Sequence, residues 1–185
     1  LGEIIEFQKG KKVKNVIEEQ CDGFIPYLLI DGLKNYQYVY TDDKKIPVAY
    51  ETDCIMVMDG ASSGYVSIGH YGAVGSTLAK IIIKGNLNSY YLYQFLQFNY
   101  KIISDNNTGS AIPHANKDFI KGMFIPIPPM SLMRIYIDYI EPIFRLTWKL
   151  RKKNTILRRT RDLLLPKLIS GELDVEDLDI AVGGD

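Results

Sequence analysis

The sequence predicts an α+β protein: an irregular, antiparallel-strand-rich domain followed by a long coiled-coil-type helix. Three observations carry this reading. Twelve of the fifteen glycines precede residue 130 and none lies between 131 and 170. Pro126, Pro128 and Pro129 stand at that boundary, where they can neither continue a helix nor sit in a central strand. Beyond them, apolar residues repeat with heptad spacing. At 185 residues the chain suits one compact domain plus an accessory element.

In chain order, the strand-like runs are Ile25–Ile30, Tyr36–Tyr40, Cys54–Met58, Thr77–Ile83 and Met123–Ile127, rich in the Ile, Val and Tyr that suit a pleated surface. Asp31-Gly32, Asp59-Gly60 and Gly72 read as turns between them. One helix is expected over Ser89–Ile103, where Tyr91, Leu92, Phe95, Leu96 and Ile102 fall near a 3.6 period. After Ser131, a candidate cap, the positions Tyr136, Ile140, Ile143, Thr147, Leu150, Asn154, Leu157, Arg161, Leu164 and Leu168 alternate in steps of four and three. That seam suits a helix packed lengthwise on another long helix, with Asn154 and Arg161 as polar register-setters. Pro142 predicts a kink and a longer segment from Pro142 to Leu168, about 40 Å at 1.5 Å per residue. Gly171 is placed to end it. The divisions are thus residues 1–130, a helical region 131–171 and an acidic tail 172–185.

Net charge is zero, from 22 basic and 22 acidic side chains, and the total is misleading. Residues 1–130 sum to −1, residues 131–170 to +7 and residues 171–185 to −6, so neutrality is a cancellation between regions. No run approaches the roughly 18–20 apolar residues of a membrane span, and Leu1-Gly2-Glu3 has no leader-like character. The first residue is not Met, so preceding residues of the natural chain are expected. Cys21 and Cys54 form no CxxC pair, which suits two reduced thiols in a cytoplasmic protein.

Catalytic patterns are not found. The Gly60–Gly64 run lacks the lysine of a phosphate loop, no dinucleotide fingerprint follows a strand, and Ser62 and Gly64 form no nucleophile elbow. Pro128-Pro129 is flanked by Ile127 and Met130, unlike the motif of DNA adenine methyltransferases. His70 and His114 have no metal-ligand spacing, so each is expected as a surface or core imidazole. No catalytic or metal site is expected.

Binding remains. Lys9, Lys11, Lys12 and Lys14 form a cluster able to neutralise phosphates or simply to be solvated. The segment Ser104–Lys117 holds Asn106, Asn107, Thr108, Ser110, His114, Asn116 and Lys117, groups able to read base edges or to make an ordinary polar loop. Tyr36–Lys45 mixes Tyr38 with Lys44 and Lys45, and the chain has 13 tyrosines, which serve interfaces as well as cores.

At this point the residues resemble a known family. Leu164-Leu165-Pro166-Lys167-Leu168-Ile169-Ser170-Gly171-Glu172-Leu173 resembles the terminal signature of specificity subunits of type I restriction–modification systems. Leu1-Gly2-Glu3-Ile4-Ile5-Glu6-Phe7 with Gly10-Lys11 is similar to the opening of their target recognition domains. So are Asp59–Gly64, Gly75–Lys80 and Gly109–Lys117, and Ile125–Pro129 resembles the join to the helical region. The resemblance implies a noncatalytic DNA-reading subunit with one target recognition domain and one helix, half the usual complement. It also implies that Ser62, Ser63 and Tyr65 lie with the lysines and the Asn106–Lys117 groups at the DNA. The partners it implies are double-stranded DNA, modification methyltransferase subunits and a restriction (translocase and nuclease) subunit. S-adenosylmethionine, ATP and Mg would then reside on those partners, none on this chain. Leu132-Met133-Arg134 departs from the family's acidic and amide-rich helix start.

Both lines of reasoning suggest a homodimer through Ile140, Ile143, Leu150, Asn154, Leu157, Leu164 and Leu168, reading an interrupted palindrome across about one DNA turn of 34–36 Å. The other readings are the recognition subunit of a fused type II restriction–methylation enzyme, or an interaction module that assembles through its helix. A salt-dependent affinity for DNA separates the first two from the third.

Overall fold

The computed structural model describes residues 1–173. Its elements in order are β1 (Ile5–Lys9), β2 (Ile25–Leu28), α1 (Ile30–Asn35), β3 (Val39–Thr41), β4 (Val48–Ala49), β5 (Cys54–Val57), β6 (Val66–Ser67), β7 (Gly72–Val74), β8 (Leu78–Ile83), α2 (Ser89–Phe98), α3 (Tyr100–Asp105), α4 (Lys117–Gly122) and α5 (Met130–Ile169). They divide into a first unit, Leu1–Arg145, and a second beginning at Leu146. The fold is α+β, as the sequence predicts.

The strands make two four-stranded sheets. One has the order β1-β8-β5-β6 and is antiparallel throughout; the other is β3-β2-β7-β4, with a single parallel pair, β2–β7. Strand β8 is central because its Leu-Ala-Lys-Ile-Ile-Ile run can be covered on both faces, pairing Ile81 with both Phe7 and Cys54. Strand β5 is buried at all four positions. A single apolar cluster joins the sheets, bringing Leu28, Ala49 and Val74 together with Ile55, Val57 and Leu78. Two glycines permit close backbone approaches, Gly10 where the chain leaving β1 meets β7 of the other sheet and Gly72 where β7 runs beside β2 within its own sheet. A Cβ on Gly10 would stand 2.2 Å from the carbonyl oxygen of Val74, and one on Gly72, at φ +154°, 2.2 Å from that of Pro26.

Several local expectations change, each for a visible reason. Asp31-Gly32 is not a turn. It lies in α1, whose Gly32 is tolerated because a Cβ there would meet the Tyr38 ring at 2.9 Å. The expected strand Ile25–Ile30 therefore stops at Leu28. Tyr36 ends α1 at φ 58°, and strand structure resumes only at Val39. Gly72 belongs to β7 rather than to a turn. The Ser89–Ile103 helix is two helices, because Asn99 turns its amide Nδ2 back to the Phe95 carbonyl at 2.8 Å, the local competition that makes Asn a poor interior residue. Its start is capped by Asn88, whose Oδ1 accepts from the Tyr90 and Tyr91 amides. Met123–Ile127 forms no strand: prolines remove ladder donors, and the segment instead seats the amino terminus, Leu1 N donating to Met123 O at 2.7 Å.

Helix α5 runs unbroken through Pro142 and Pro166, replacing the expected two segments. Ser131 lies inside it rather than capping it, since Met130 is already helical and Met133 N donates to Pro129 O. Gly171, at φ 72°, lies just past the helix end, its amide donating to Leu168 O. The expected boundary at Pro129 and the limit of the compact unit at Arg145 differ because the first turns of α5 pack on α2. Tyr136 meets Tyr91 edge-on at 5.8 Å, and Phe144 stacks on Tyr90 at 5.0 Å. Here Met133 is buried and Tyr136, Ile140 and Phe144 are half-buried, while the heptad position Ile143 is 57% exposed. In the second unit Leu150, Leu157, Leu164 and Leu168 are all at least 40% exposed. The acidic tail falls outside the described residues except for Glu172 and Leu173, and Glu172 pairs with Lys167 at 3.0 Å.

Cys21 and Cys54 are both free thiols. Burial pushes the Cys54 thiol up, helped by Asp53, which keeps it unreactive. Among the described residues no helix is long and apolar enough to cross a membrane.

Leu28 is fully buried where the two sheets meet. Leu28→Ala is expected to cost about 2–5 kcal/mol, measured as a lowered urea midpoint with an unchanged slope.

Candidate nucleic-acid interface

The loops carrying the predicted residues are tied together by backbone bonds. The segment after β5 and the segment between α3 and α4 form isolated bridges, Asp59 with His114 and Thr108 with His114. Gly60 N donates to Pro113 O at 2.9 Å, Ala115 N to Met58 O at 2.8 Å, and His114 N to Thr108 O at 2.7 Å. Gly109 permits the tight turn: it sits at φ +88°, and a Cβ there would stand 2.3 Å from Ile112 O.

Lys9, the last residue of β1, and His114 meet at one carboxylate. Lys9 Nζ lies 3.0 Å from Asp59 Oδ2, and His114 Nδ1 lies 2.8 Å from Asp59 Oδ1. Partial burial pushes the Asp59 carboxyl up, but the hydrogen bonds and charges of His114 and Lys9 outweigh that and hold it below the usual carboxylate range. Lys34 joins from α1, donating to Ser62 Oγ at 2.8 Å with its ammonium 5.3 Å from the centre of the Tyr65 ring. Tyr65 in turn meets Tyr100 edge-on.

The remaining predicted residues sort by their neighbours. Lys11, Lys12, Lys14, Lys44, Lys45 and Lys117 are exposed, and Lys11 Nζ reaches the Lys45 carbonyl at 3.4 Å. Asn106 and Asn107 spend their amide donors on the carbonyls of Ile102 and Ser63, and Thr108 Oγ1 contacts His114 O at 3.4 Å. Asn116 caps α4 through its Oδ1, which accepts from Phe119 N at 3.0 Å. Two predicted contacts are corrected. Ser63 is fully buried, its hydroxyl donating to the carbonyls of Gly60 and Pro113, so it braces the loops instead of facing a ligand. The Tyr38 hydroxyl is bonded to His70 Nδ1 at 2.9 Å, and burial, with Tyr36 and Tyr40 adding, pushes its pKa far up. His70 is a core imidazole, its Nε2 meeting Ser67 Oγ at 2.7 Å, whereas His114 lies at the surface.

Sequence reasoning missed Asp59, Lys34 and Tyr100. Asp59 stood out as a turn former and as the first residue of the family-like Asp59–Gly64 run, but not as a partner of His114, which lies 55 positions away. Among the described residues no group of three or more His, Cys, Asp or Glu is placed to hold a metal.

Fold and site together define a two-part chain, a strand-rich unit with lysine- and amide-bearing loops and a long helix. Its residues 1–158 match the type I restriction modification DNA specificity domain, and the chain belongs to that family. It is similar to the MjaVIII type I restriction enzyme specificity subunit of Methanocaldococcus jannaschii, 26% identical over 92% of this chain and 41% of that protein. The MjaIX specificity subunit of the same organism is 24% identical over 94% of this chain and 40% of its own length. The chain therefore spans about two fifths of these relatives. The fold is shared with the crystal structure of the type I restriction–modification S subunit from M. genitalium, at a TM-score of 0.67 and 18% identity, covering 91% of this chain and 44% of that one. The HsdS subunit from Thermoanaerobacter tengcongensis gives 0.57 at 17%, covering 93% and 44%.

Asp59 titrates below its ordinary value near 3.9, so its ionised form stabilises the folded chain above that value. The contribution fades as pH falls through the folded carboxyl's own pKa. Asp59→Asn is expected to flatten the loss of thermal stability between about pH 5 and about pH 2, read from melting temperatures in an acid series.

Proposed function

We propose that this chain is a noncatalytic, sequence-specific DNA-recognition component of a type I restriction–modification complex, acting in the cytoplasm. It reads one half-site of double-stranded DNA with the loops of the first unit and docks modification methyltransferase subunits. Those subunits carry S-adenosylmethionine, and a restriction subunit carries ATP and Mg; this chain carries no cofactor. The carrying observation is the pair of bridged loops, on which Lys9 and His114 meet at Asp59 and Lys34 reaches Ser62 and the Tyr65 ring. Cations there would hold phosphates, and exposed polar edges would meet bases. In this reading the exposed Lys11, Lys12, Lys14, Lys44, Lys45 and Lys117 belong to the same binding surface, and Ser62, Asn106, Asn107, Thr108 and Asn116 supply its polar groups.

The homodimer is part of the same reading. Leu150, Leu157, Leu164 and Leu168 are exposed on one helix in heptad register, a pattern that lowers its free energy by packing on an equivalent stripe. Ile140 and Ile143 would contribute at its start, and Asn154 would fix register. Two copies would present two identical readers to an interrupted palindrome.

Two measurements test this. The full chain, reconstituted with its methyltransferase subunit, is expected to bind duplex DNA with an affinity that falls steeply with salt. Lys12→Ala and Lys117→Ala should each lower the log–log salt slope by about one. A salt-insensitive affinity would favour the protein-interaction reading instead. Sedimentation at micromolar concentration should give a dimer, converted to monomer by Leu150→Asp with Leu157→Asp.

A further inference from the structure

We infer that Asp59 is a positioning residue that fixes the tautomer of His114, so that His114 Nε2 is offered as a hydrogen-bond acceptor to the exocyclic amino group of an adenine or cytosine. The inference rests on the DNA reading above and specifies what one side chain of that surface reads. A carboxylate accepts only, so the 2.8 Å contact between Asp59 Oδ1 and His114 Nδ1 requires the ring proton on Nδ1. In the neutral ring, Nε2 then carries a lone pair and no proton. The backbone around the imidazole is fixed. It is bridged to both Thr108 and Asp59, and the ring's Cδ2 edge lies where a Cβ on Gly109 would come within 2.9 Å. The second carboxylate oxygen is held by Lys9 at 3.0 Å, so Asp59 cannot swing away without losing an ion pair. The His114 side chain is nonetheless 49% exposed.

This arrangement explains a carboxylate in the middle of a cationic surface. Its charge repels phosphate, so electrostatics alone predicts that removing it strengthens binding to every sequence equally. Positioning predicts something different. In the major groove, adenine N6 and cytosine N4 are the amino donors that an Nε2 lone pair can accept from, whereas guanine and thymine present acceptors at the corresponding edge.

Asp59→Asn and Asp59→Ala separate the two effects, because both lose the charge and only the amide keeps an acceptor oxygen. Nitrogen-15 NMR of histidine-labelled full chain at about pH 8 reads the tautomer directly, with His114→Gln assigning the two histidines. Nδ1–H is expected in the parent chain and in Asp59→Asn, and a shift toward Nε2–H in Asp59→Ala. Selection from a pool of randomised duplexes, with the methyltransferase subunit present, should show a position preferring adenine or cytosine by about tenfold. That preference should persist in Asp59→Asn and vanish in Asp59→Ala. An Nε2–H ring in the parent chain, or a tautomer or preference unchanged by Asp59→Ala, overturns the inference and leaves the DNA reading standing. A parent chain that enriches no motif overturns both.

Discussion

The packing of Leu28 between two short sheets is the contact on which the rest of the first unit depends. None of the eight strands exceeds six residues, and sheets this small have too little apolar area to persist singly. Their stability comes from sharing one core, in which Leu28, Ala49 and Val74 face Ile55, Val57 and Leu78. Backbone stitches reinforce the junction. Gly10 N donates to Leu78 O and Lys11 N to Val74 O, so the chain leaving β1 spans both sheets. The lysine-bearing segment therefore starts from a fixed point in the core.

The broad architecture was legible because it depends on composition and period. Glycine placement, the prolines before Met130 and the apolar runs of β5 and β8 are local signals: the two strands and the start of α5 fall where these point, while the compact unit runs on to Arg145. What could not be read depended on contacts across the chain. Gly32 looks like a turn residue until the Tyr38 ring is seen to occupy the space of its side chain. Met123–Ile127 has strand composition but finds no ladder partner. At the start of α5 the seam positions Tyr136 and Ile140 are partly covered within the first unit and Phe144 is added to them, because a tyrosine-rich helix of the same unit supplies the apolar surface. For the candidate site, residue types were legible and roles were not: nothing near Ser63 in sequence says that its hydroxyl will be consumed by Pro113, fifty residues on.

The zero net charge conceals a similar distribution of tasks. In the first unit cations and anions are nearly equal in number, and several acids are assigned to particular bases: Asp59 to Lys9, Asp53 to Lys80 and Glu6 to Lys84. The lysines beyond β1 and around residue 45 are exposed. In α5 the excess of arginine and lysine accompanies exposed leucines.

The bridging of His114 to both Thr108 and Asp59 has a consequence for how this surface can diversify. A loop whose strongest bonds run to a different loop is not an independent module. Transplanting residues 106–116 into a relative would leave behind the turn that orients them, and transplanting residues 58–65 would strand the buried Ser63 hydroxyl without its second carbonyl. The unit that could be exchanged intact is the pair of loops, because the bonds of His114 and Ser63 join two segments some forty residues apart in the chain.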